Sequence, residues 1–317
     1  MTPLVVSLNP AIDVEWRVIE VLPEEKNELL SERRWPGGKG VNVARWLAWL
    51  KSPGRLFLPL GGEAGRELGA GLKREGIEFA AFPLRESTRV NVVVTPNPGN
   101  GPQYRFNPTW RRLTLREASG LRRQVLALVS AGAASDPVVL SGTLAFGAPP
   151  DTYARLVQAA RRAGRRAVLD CDREPFAQAV KEGPWLVKPN EFELAQWAGK
   201  KLRTERAEYR AARALADATG GWVLMSRGSK GAWLMNGNDA RVAWSASAPR
   251  VTPRNRVGAG DAMLAGAIAA SGRADPCEWL RNAVATGTTA TQVPPGELPA
   301  RALWRQIRAA VRITPLS

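Results

Sequence analysis

Apolar residues recur along the chain at two alternating spacings. Val5 to Leu8 is a short apolar run, the mark of a buried strand. Val43, Trp46, Leu47 and Leu50 then fall on one helical face, and Gly54 stands just past its end. Leu56 to Leu60 is apolar again, and residues 64–75 regain the helical spacing. The exchange continues with Val138-Val139-Leu140, a helix over 151–163, Ala167-Val168-Leu169 and Leu186-Val187. Helices over 191–199 and 204–218 and the strand Val223-Leu224-Met225 follow. Short strands without a polar face, separated by amphipathic helices, predict an α/β fold: a mainly parallel central sheet flanked by helices.

Two stretches leave this rhythm. Residues 12–35 and 88–106 carry Thr, Val, Trp and Tyr at strand-like spacing, with Val90, Val92 and Val94 in alternation, but no helix of their own. They predict a small antiparallel β lid inserted into the α/β body. No Ser/Gly-rich linker and no internal repeat divides the chain, so residues 1–317 are expected to form one domain.

Hydrophobic residues make up 44% of the chain and charged residues 23%, which is globular and not disordered. Lys plus Arg is 45 and Asp plus Glu is 29, a net charge of +16. That excess admits three readings: nucleic acid, small anionic substrates such as nucleotides and sugar phosphates, or surface arginine at helix ends. Arg161-Arg162-Ala163-Gly164-Arg165-Arg166 fits the third, because cations suit the C-terminal dipole. Cys171 and Cys277 supply no disulfide framework and no CxxC pair, so a reducing cytoplasm is the expected home. Without histidine, a His-bearing triad and a His-ligated zinc site are excluded. No apolar run reaches the ~18 residues of a spanning helix. Met1-Thr2-Pro3-Leu4-Val5-Val6 reads as a first strand and not as a signal peptide.

Four segments carry candidate chemistry. Pro36-Gly37-Gly38-Lys39-Gly40-Val41-Asn42-Val43-Ala44 puts three glycines and a cation before an amphipathic helix. It is either a plain turn into that helix or a seat for an anionic or hydroxyl-rich ligand on free N–H groups. Arg256-Val257-Gly258-Ala259-Gly260-Asp261 runs into an apolar helix of small residues. Its backbone N–H groups suit an anion hole, and Asp261 is either an N-cap or a base beside that hole. Asn190 and Glu193, after Lys188-Pro189, have capping-box spacing and also the oxygen donors that suit a hydrated Mg²⁺. Ser226-Arg227-Gly228-Ser229-Lys230-Gly231 is either an ordinary hairpin or a loop along a phosphate.

These segments, in this order, resemble the ribokinase-like sugar kinases, the PfkB-type carbohydrate kinase family, over nearly the whole chain. Leu8-Asn9-Pro10-Ala11-Ile12-Asp13, Thr88-Arg89-Val90-Asn91, Ser141-Gly142-Thr143-Leu144 and Gln103-Tyr104-Arg105-Phe106 are similar to its phosphosugar branch, the 1-phosphofructokinases, minor 6-phosphofructokinases and tagatose-6-phosphate kinases. The resemblance implies an ATP- and Mg²⁺-dependent transfer of the γ-phosphoryl group to a phosphosugar hydroxyl. Asp261 would be the base, and Gly258, Ala259 and Gly260 the anion hole. Asp13, Gly37, Gly38, Asn42 and Ser141 would meet the sugar, and Lys39 and Arg89 its phosphate. Lys188, Asn190, Glu193, Ser226, Gly228, Gly231 and Asn282 would serve the nucleotide, with Asn190 and Glu193 holding Mg²⁺ through water. Asn255 and Val257 match positions that often hold K⁺. A homodimer through the lid is implied, and neither nucleic acid nor membrane is an expected partner.

Some residues depart from the branch. Glu28 stands where an arginine usually meets the substrate phosphate, which favours the alternative of an unphosphorylated sugar or nucleoside acceptor. Cys171-Asp172-Arg173-Glu174, Leu144-Ala145-Phe146-Gly147 and Pro294-Pro295-Gly296 also differ, the last beside the expected cation loop. A non-catalytic nucleic-acid-binding or regulatory protein is the third reading, and it leaves the two glycine motifs without a purpose.

Overall fold

The computed structural model describes residues 1–96, 103–109, 112–272 and 275–316. The chain begins β1 (Leu4–Val6), β2 (Ala11–Val18), β3 (Leu29–Gly37), α1 (Lys39–Trp49), β4 (Arg55–Gly61), α2 (Gly62–Arg74) and β5 (Phe79–Leu84). It continues β6 (Arg89–Pro96), β7 (Tyr104–Phe106), α3 (Leu115–Ala131), β8 (Val138–Ser141), α4 (Thr152–Arg162), β9 (Ala167–Asp170), α5 (Arg173–Val180) and β10 (Leu186–Val187). Then come α6 (Glu191–Trp197), α7 (Glu205–Thr219), β11 (Trp222–Ser226), β12 (Ala232–Asn236) and β13 (Ala243–Ser247). Helices α8 (Ala259–Ala270), α9 (Pro276–Ala290) and α10 (Arg301–Ala310) and strand β14 (Arg312–Pro315) close it.

Ten strands form the main sheet, in the order β14-β13-β12-β11-β10-β9-β8-β1-β4-β5. From β5 to β11 neighbours run parallel, and β12, β13 and β14 add an antiparallel edge. The apolar strands feed two cores, because successive side chains point to opposite faces. Val5, Val139, Val168 and Leu224 pack with α1, α8 and α9. Leu4, Val6, Leu140, Leu169 and Met225 pack with α3, α4 and α7 on the other side.

The segments at 12–35 and 88–106 form a separate four-stranded sheet, β3-β2-β6-β7. Residues 97–102 of the second segment lie outside the described residues. The outer pairs, β2 with β3 and β6 with β7, are antiparallel as expected. The central pair, β2 with β6, is parallel. The whole β3-to-β5 excursion separates these two strands, which is the long crossover a parallel pair needs. Ile12, Val14, Val90 and Val92 anchor this sheet on the core that holds α1.

Some boundaries differ from the sequence reading. The first strand ends at Val6, with Leu8 buried beyond it. Helix α2 starts two residues early, at Gly62. Helix α3 is an element that the apolar spacing does not announce: only Leu121, Val125 and Val129 are buried along it, a narrow row among polar residues. A Thr114–Glu117 capping box fixes its start. Among the described residues no helix is long and apolar enough to cross a membrane.

Candidate active site

Site residues gather at the C-terminal ends of the parallel strands, where α/β sheets hold ligands. Ser141 ends β8, Asp170 ends β9, Lys188 follows β10 and Ser226 ends β11. The two glycine motifs bring two helix N-termini to the same place. Gly38 precedes α1 with φ +97°, and Gly258 precedes α8 with φ +76°, conformations that favour glycine. Gly37 has a steric reason as well: a Cβ there would collide with the Asp13 carboxylate. Asn42 Nδ2, one turn into α1, donates to Asp261 Oδ2, in the first turn of α8, at 2.8 Å. Asp261 makes no capping bond, so the N-cap reading does not hold for it.

A ring of charges surrounds this link. Asp170 is fully buried, with Lys188 Nζ at 3.2 Å and Lys39 Nζ at 3.3 Å from Oδ1, and Ser141 Oγ donating to Oδ2 at 3.4 Å. Lys39 Nζ also lies 3.2 Å from Glu193 Oε1. Burial opposes the charge on Asp170, but Lys188 and Lys39 outweigh it and hold its carboxyl below the ordinary range. Burial likewise opposes the charge on Lys39, and Asp170, Glu193 and Asp261 hold it well above the ordinary lysine range. Asp261 goes the other way. Burial and then the neighbouring Asp170 push its pKa up to about 7, against Lys39, Asn42 and Lys188, which lower it. Lys188 Nζ lies 3.5 Å from where a Cβ on Gly260 would stand, so this ammonium borders the 258–261 turn.

A second cluster lies on the smaller sheet. Asn91 Nδ2 donates to Asp13 Oδ1 at 2.8 Å, and Arg89 Nη2 donates to the Asn9 carbonyl at 2.9 Å. Burial raises the Asp13 pKa; Asn91, Arg89 and the Gly38 N–H offset part of that rise. Asn91 Oδ1 and Arg89 Nε are buried without a hydrogen-bond partner, a state that native interiors seldom leave without a ligand or water.

Asn190 and Glu193 form the capping box of α6: Asn190 Oδ1 accepts from the Glu193 N–H and Glu193 Oε2 from the Asn190 N–H. Glu193 Oε1 still faces Lys39, so the capping role and a place in the charge cluster coexist. A bridge joins Asn190 to Ser226 and brings the 226–231 turn beside this helix start. The turn links β11 to β12 as a hairpin. It carries Gly228 at φ +54° and Gly231 at φ +96°. Buried Arg227 anchors it, stacked on Trp233 and paired with Glu208 and Glu205.

Asn282 lies on α9. Its side chain accepts from Arg308 Nε at 2.6 Å and its carbonyl from Thr286 Oγ1 at 2.7 Å, between α9 and α10. Trp16 is partly buried against the core and donates to Glu32. Trp35 lines a cavity of about 30 Å³ with Asp13, Asn42, Arg45, Asn255, Val257 and the 294–298 loop. Glu28 is exposed in the turn before β3. Sequence reading missed Asp170 and Arg45, and it quoted Asn91 without giving it a role. For Asp170 a signal existed: a lone carboxylate ending an apolar parallel strand.

Residues 5–300 match the family described as pfkB family carbohydrate kinase. A 1-phosphofructokinase of Xanthomonas campestris is 34% identical over 272 residues, covering 84% of this chain and 83% of that protein. An ATP-dependent 6-phosphofructokinase isozyme 2 of Mycobacterium tuberculosis is 34% identical over 264 residues, covering 83% and 75%. The crystal structure of phosphofructokinase-2 from Escherichia coli in complex with potassium superposes with a TM-score of 0.88 at 28% identity, covering 97% and 98%. The chain therefore belongs to the pfkB family of carbohydrate kinases and is an ATP-dependent kinase.

Proposed function

We propose that this kinase moves the γ-phosphoryl group of ATP to a hydroxyl of a phosphosugar: fructose 1-phosphate, fructose 6-phosphate or tagatose 6-phosphate. The observation that carries the reading is Asp261. Its carboxyl has a pKa of about 7, is oriented by Asn42, and sits where two helix N-termini meet. A base poised near the working pH suits removal of a proton from an attacking hydroxyl.

In this reading the N–H groups around Gly258, Ala259 and Gly260 receive the transferring phosphoryl group, aided by the dipole of α8. Lys188 and Lys39 neutralise charge that develops on its oxygens. Asp13, Asn91, Gly38 and Asn42 hold sugar hydroxyls, and Arg89 meets the substrate's own phosphate. Asn190, Ser226 and the 228–231 turn line the nucleotide side. Asp170 and Glu193 carry charges that balance Lys39 and Lys188, and with Asp261 beside them they offer hard oxygen donors of the kind that fit Mg²⁺ held through water. Asn190, Glu193 and Asp170 would hold it, and it would supply charge neutralisation on the ATP phosphates. The smaller sheet serves as a lid that keeps water from the phosphoryl group. Its edges carry exposed Leu29, Leu30, Tyr104 and Phe106, which supports a homodimer through this sheet.

Glu28 favours a second reading, an unphosphorylated acceptor. ADP release with ATP and Mg²⁺ separates the two. Fructose 1-phosphate, fructose 6-phosphate, tagatose 6-phosphate, fructose, ribose and adenosine form the panel. Turnover confined to a phosphosugar is expected; turnover on fructose, ribose or adenosine alone would replace the first reading with the second.

A further inference from the structure

The resemblance leads one to expect a potassium ion behind the 258–261 turn, at Asn255 and Val257. The residues of this chain do not fit one. A potassium ion is held by carbonyl oxygens that replace its hydration shell. Four of the carbonyls around the cavity already accept an N–H donor, which takes up one of the two lone pairs that each could offer a cation. Val257 O accepts from Asn255 Nδ2 at 3.1 Å. The amide cannot turn round to offer its oxygen instead, because Oδ1 accepts from the Val257 N–H at 2.6 Å. Pro294 O accepts from the Glu297 N–H at 3.2 Å. Pro295 O accepts from Arg33 Nη2 at 3.2 Å and Gly296 O from Arg45 Nη2 at 2.6 Å.

Arg45 is a cation in its own right at this place. It is 7% exposed, lines the cavity with Asn255, Val257 and Gly258, and its charge acts on Asp13. Glu75 Oε2, 2.5 Å from Nε, holds the guanidinium in position from just past the end of α2. Arg33 stacks on Trp35 and pairs with Glu297 at 2.8 Å, which fastens the same loop to the smaller sheet. A monovalent cation in this cavity of about 30 Å³, room for roughly one water, would share it with the Arg45 guanidinium, whose charge Glu75 offsets in part.

We propose that Arg45, with Arg33 on the neighbouring carbonyl, replaces the monovalent cation: the guanidinium groups organise the 294–298 loop, which shares its cavity with the turn that forms the anion hole, and catalysis does not depend on potassium. The proposal rests on reading 258–261 as that anion hole. Arg45 acts here as a positioning residue.

The test titrates KCl against choline chloride at constant ionic strength. It reads thermal melting, tryptophan fluorescence (Trp35 and Trp46 line the cavity) and turnover with ATP and the best acceptor. The wild type is expected to show less than twofold change in turnover and no saturable change in the other two signals. Arg45→Met should lose at least tenfold in kcat, and Arg45→Lys should recover only part of it, because one ammonium cannot reach both Glu75 and the Gly296 carbonyl as the guanidinium does. A saturable response of the wild type to K⁺ in any readout overturns the proposal, whether or not the variants fold. So does full turnover in Arg45→Met, or an Arg45→Lys variant no better than Arg45→Met. If the wild type turns over no acceptor at all, the kinase reading of the site fails separately, while melting and fluorescence still decide the cation question.

Discussion

Replacing Asp261 by asparagine should make the protein more stable, and increasingly so as the pH rises. The carboxyl has a pKa of about 7 in the folded protein against an ordinary 3.8. Between those values the folded state binds a proton that the unfolded state has released, so wild-type stability falls as pH rises through this window. The asparagine side chain of the variant is neutral in both states and lacks that slope. From pH 5 to 8 the folded-state carboxyl crosses about two units of the window, at about 1.36 kcal/mol per unit, which is on the order of 3 kcal/mol. Packing differences between Asp and Asn are the same at both pH values and cancel. Thermal melting of both proteins at pH 5 and pH 8 reads the effect. The Tm advantage of Asp261→Asn should widen by roughly 6 °C, at about 2 °C per kcal/mol for a large domain. An advantage that is equal at the two pH values would refute the argument that burial and Asp170 hold this carboxyl protonated.

Three further outcomes follow from the same geometry. The kcat/KM of the wild type should rise about tenfold per pH unit below pH 7 and level off above it, which a pH–rate profile checks. Lys39→Met leaves Glu193 without this ammonium and Asp170 with Lys188 alone, at a cost of about 1–3 kcal/mol in urea unfolding, less than for a fully buried pair because Lys39 is a third exposed. Because Lys39 lowers the Asp261 pKa, the rising limb of that profile should also move to higher pH in the variant. Gly266→Ala puts a Cβ 2.5 Å from the Asn282 carbonyl oxygen and forces α8 from α9. The cost is about 1–3 kcal/mol, read as a lower Tm.

The parts that the sequence made legible are those written in local pattern. Apolar strands at β1, β4, β8, β9 and β11, each followed by an amphipathic helix or turn, pointed to the α/β class. Glycines that must adopt positive φ or meet a side chain, such as Gly38, Gly258 and Gly37, marked the two helix starts. The capping box at Asn190 and Glu193 was readable as such. Long-range pairing was not. Nothing local says that β2 pairs parallel with β6 across the whole β3-to-β5 excursion. Nothing local says that Lys39 turns to Asp170 and Glu193, carboxylates 131 and 154 residues away. Arg33 and Arg45 read as surface charge in a chain of net +16, yet they reach the 295–296 carbonyls from elements 262 and 251 residues distant. Asn282, assigned to the nucleotide by resemblance, also accepts from Arg308, an Arg–Asn contact that motif spacing does not encode.

The central claim is that Asp261 activates a phosphosugar hydroxyl for attack on ATP. The most direct measurement is ADP release by the wild type and Asp261→Ala, side by side, with saturating ATP, Mg²⁺ and the best phosphosugar. The account predicts turnover by the wild type and a loss of at least ~10²-fold in the folded variant, the range of a positioned base. Equal turnover in the two proteins would contradict it.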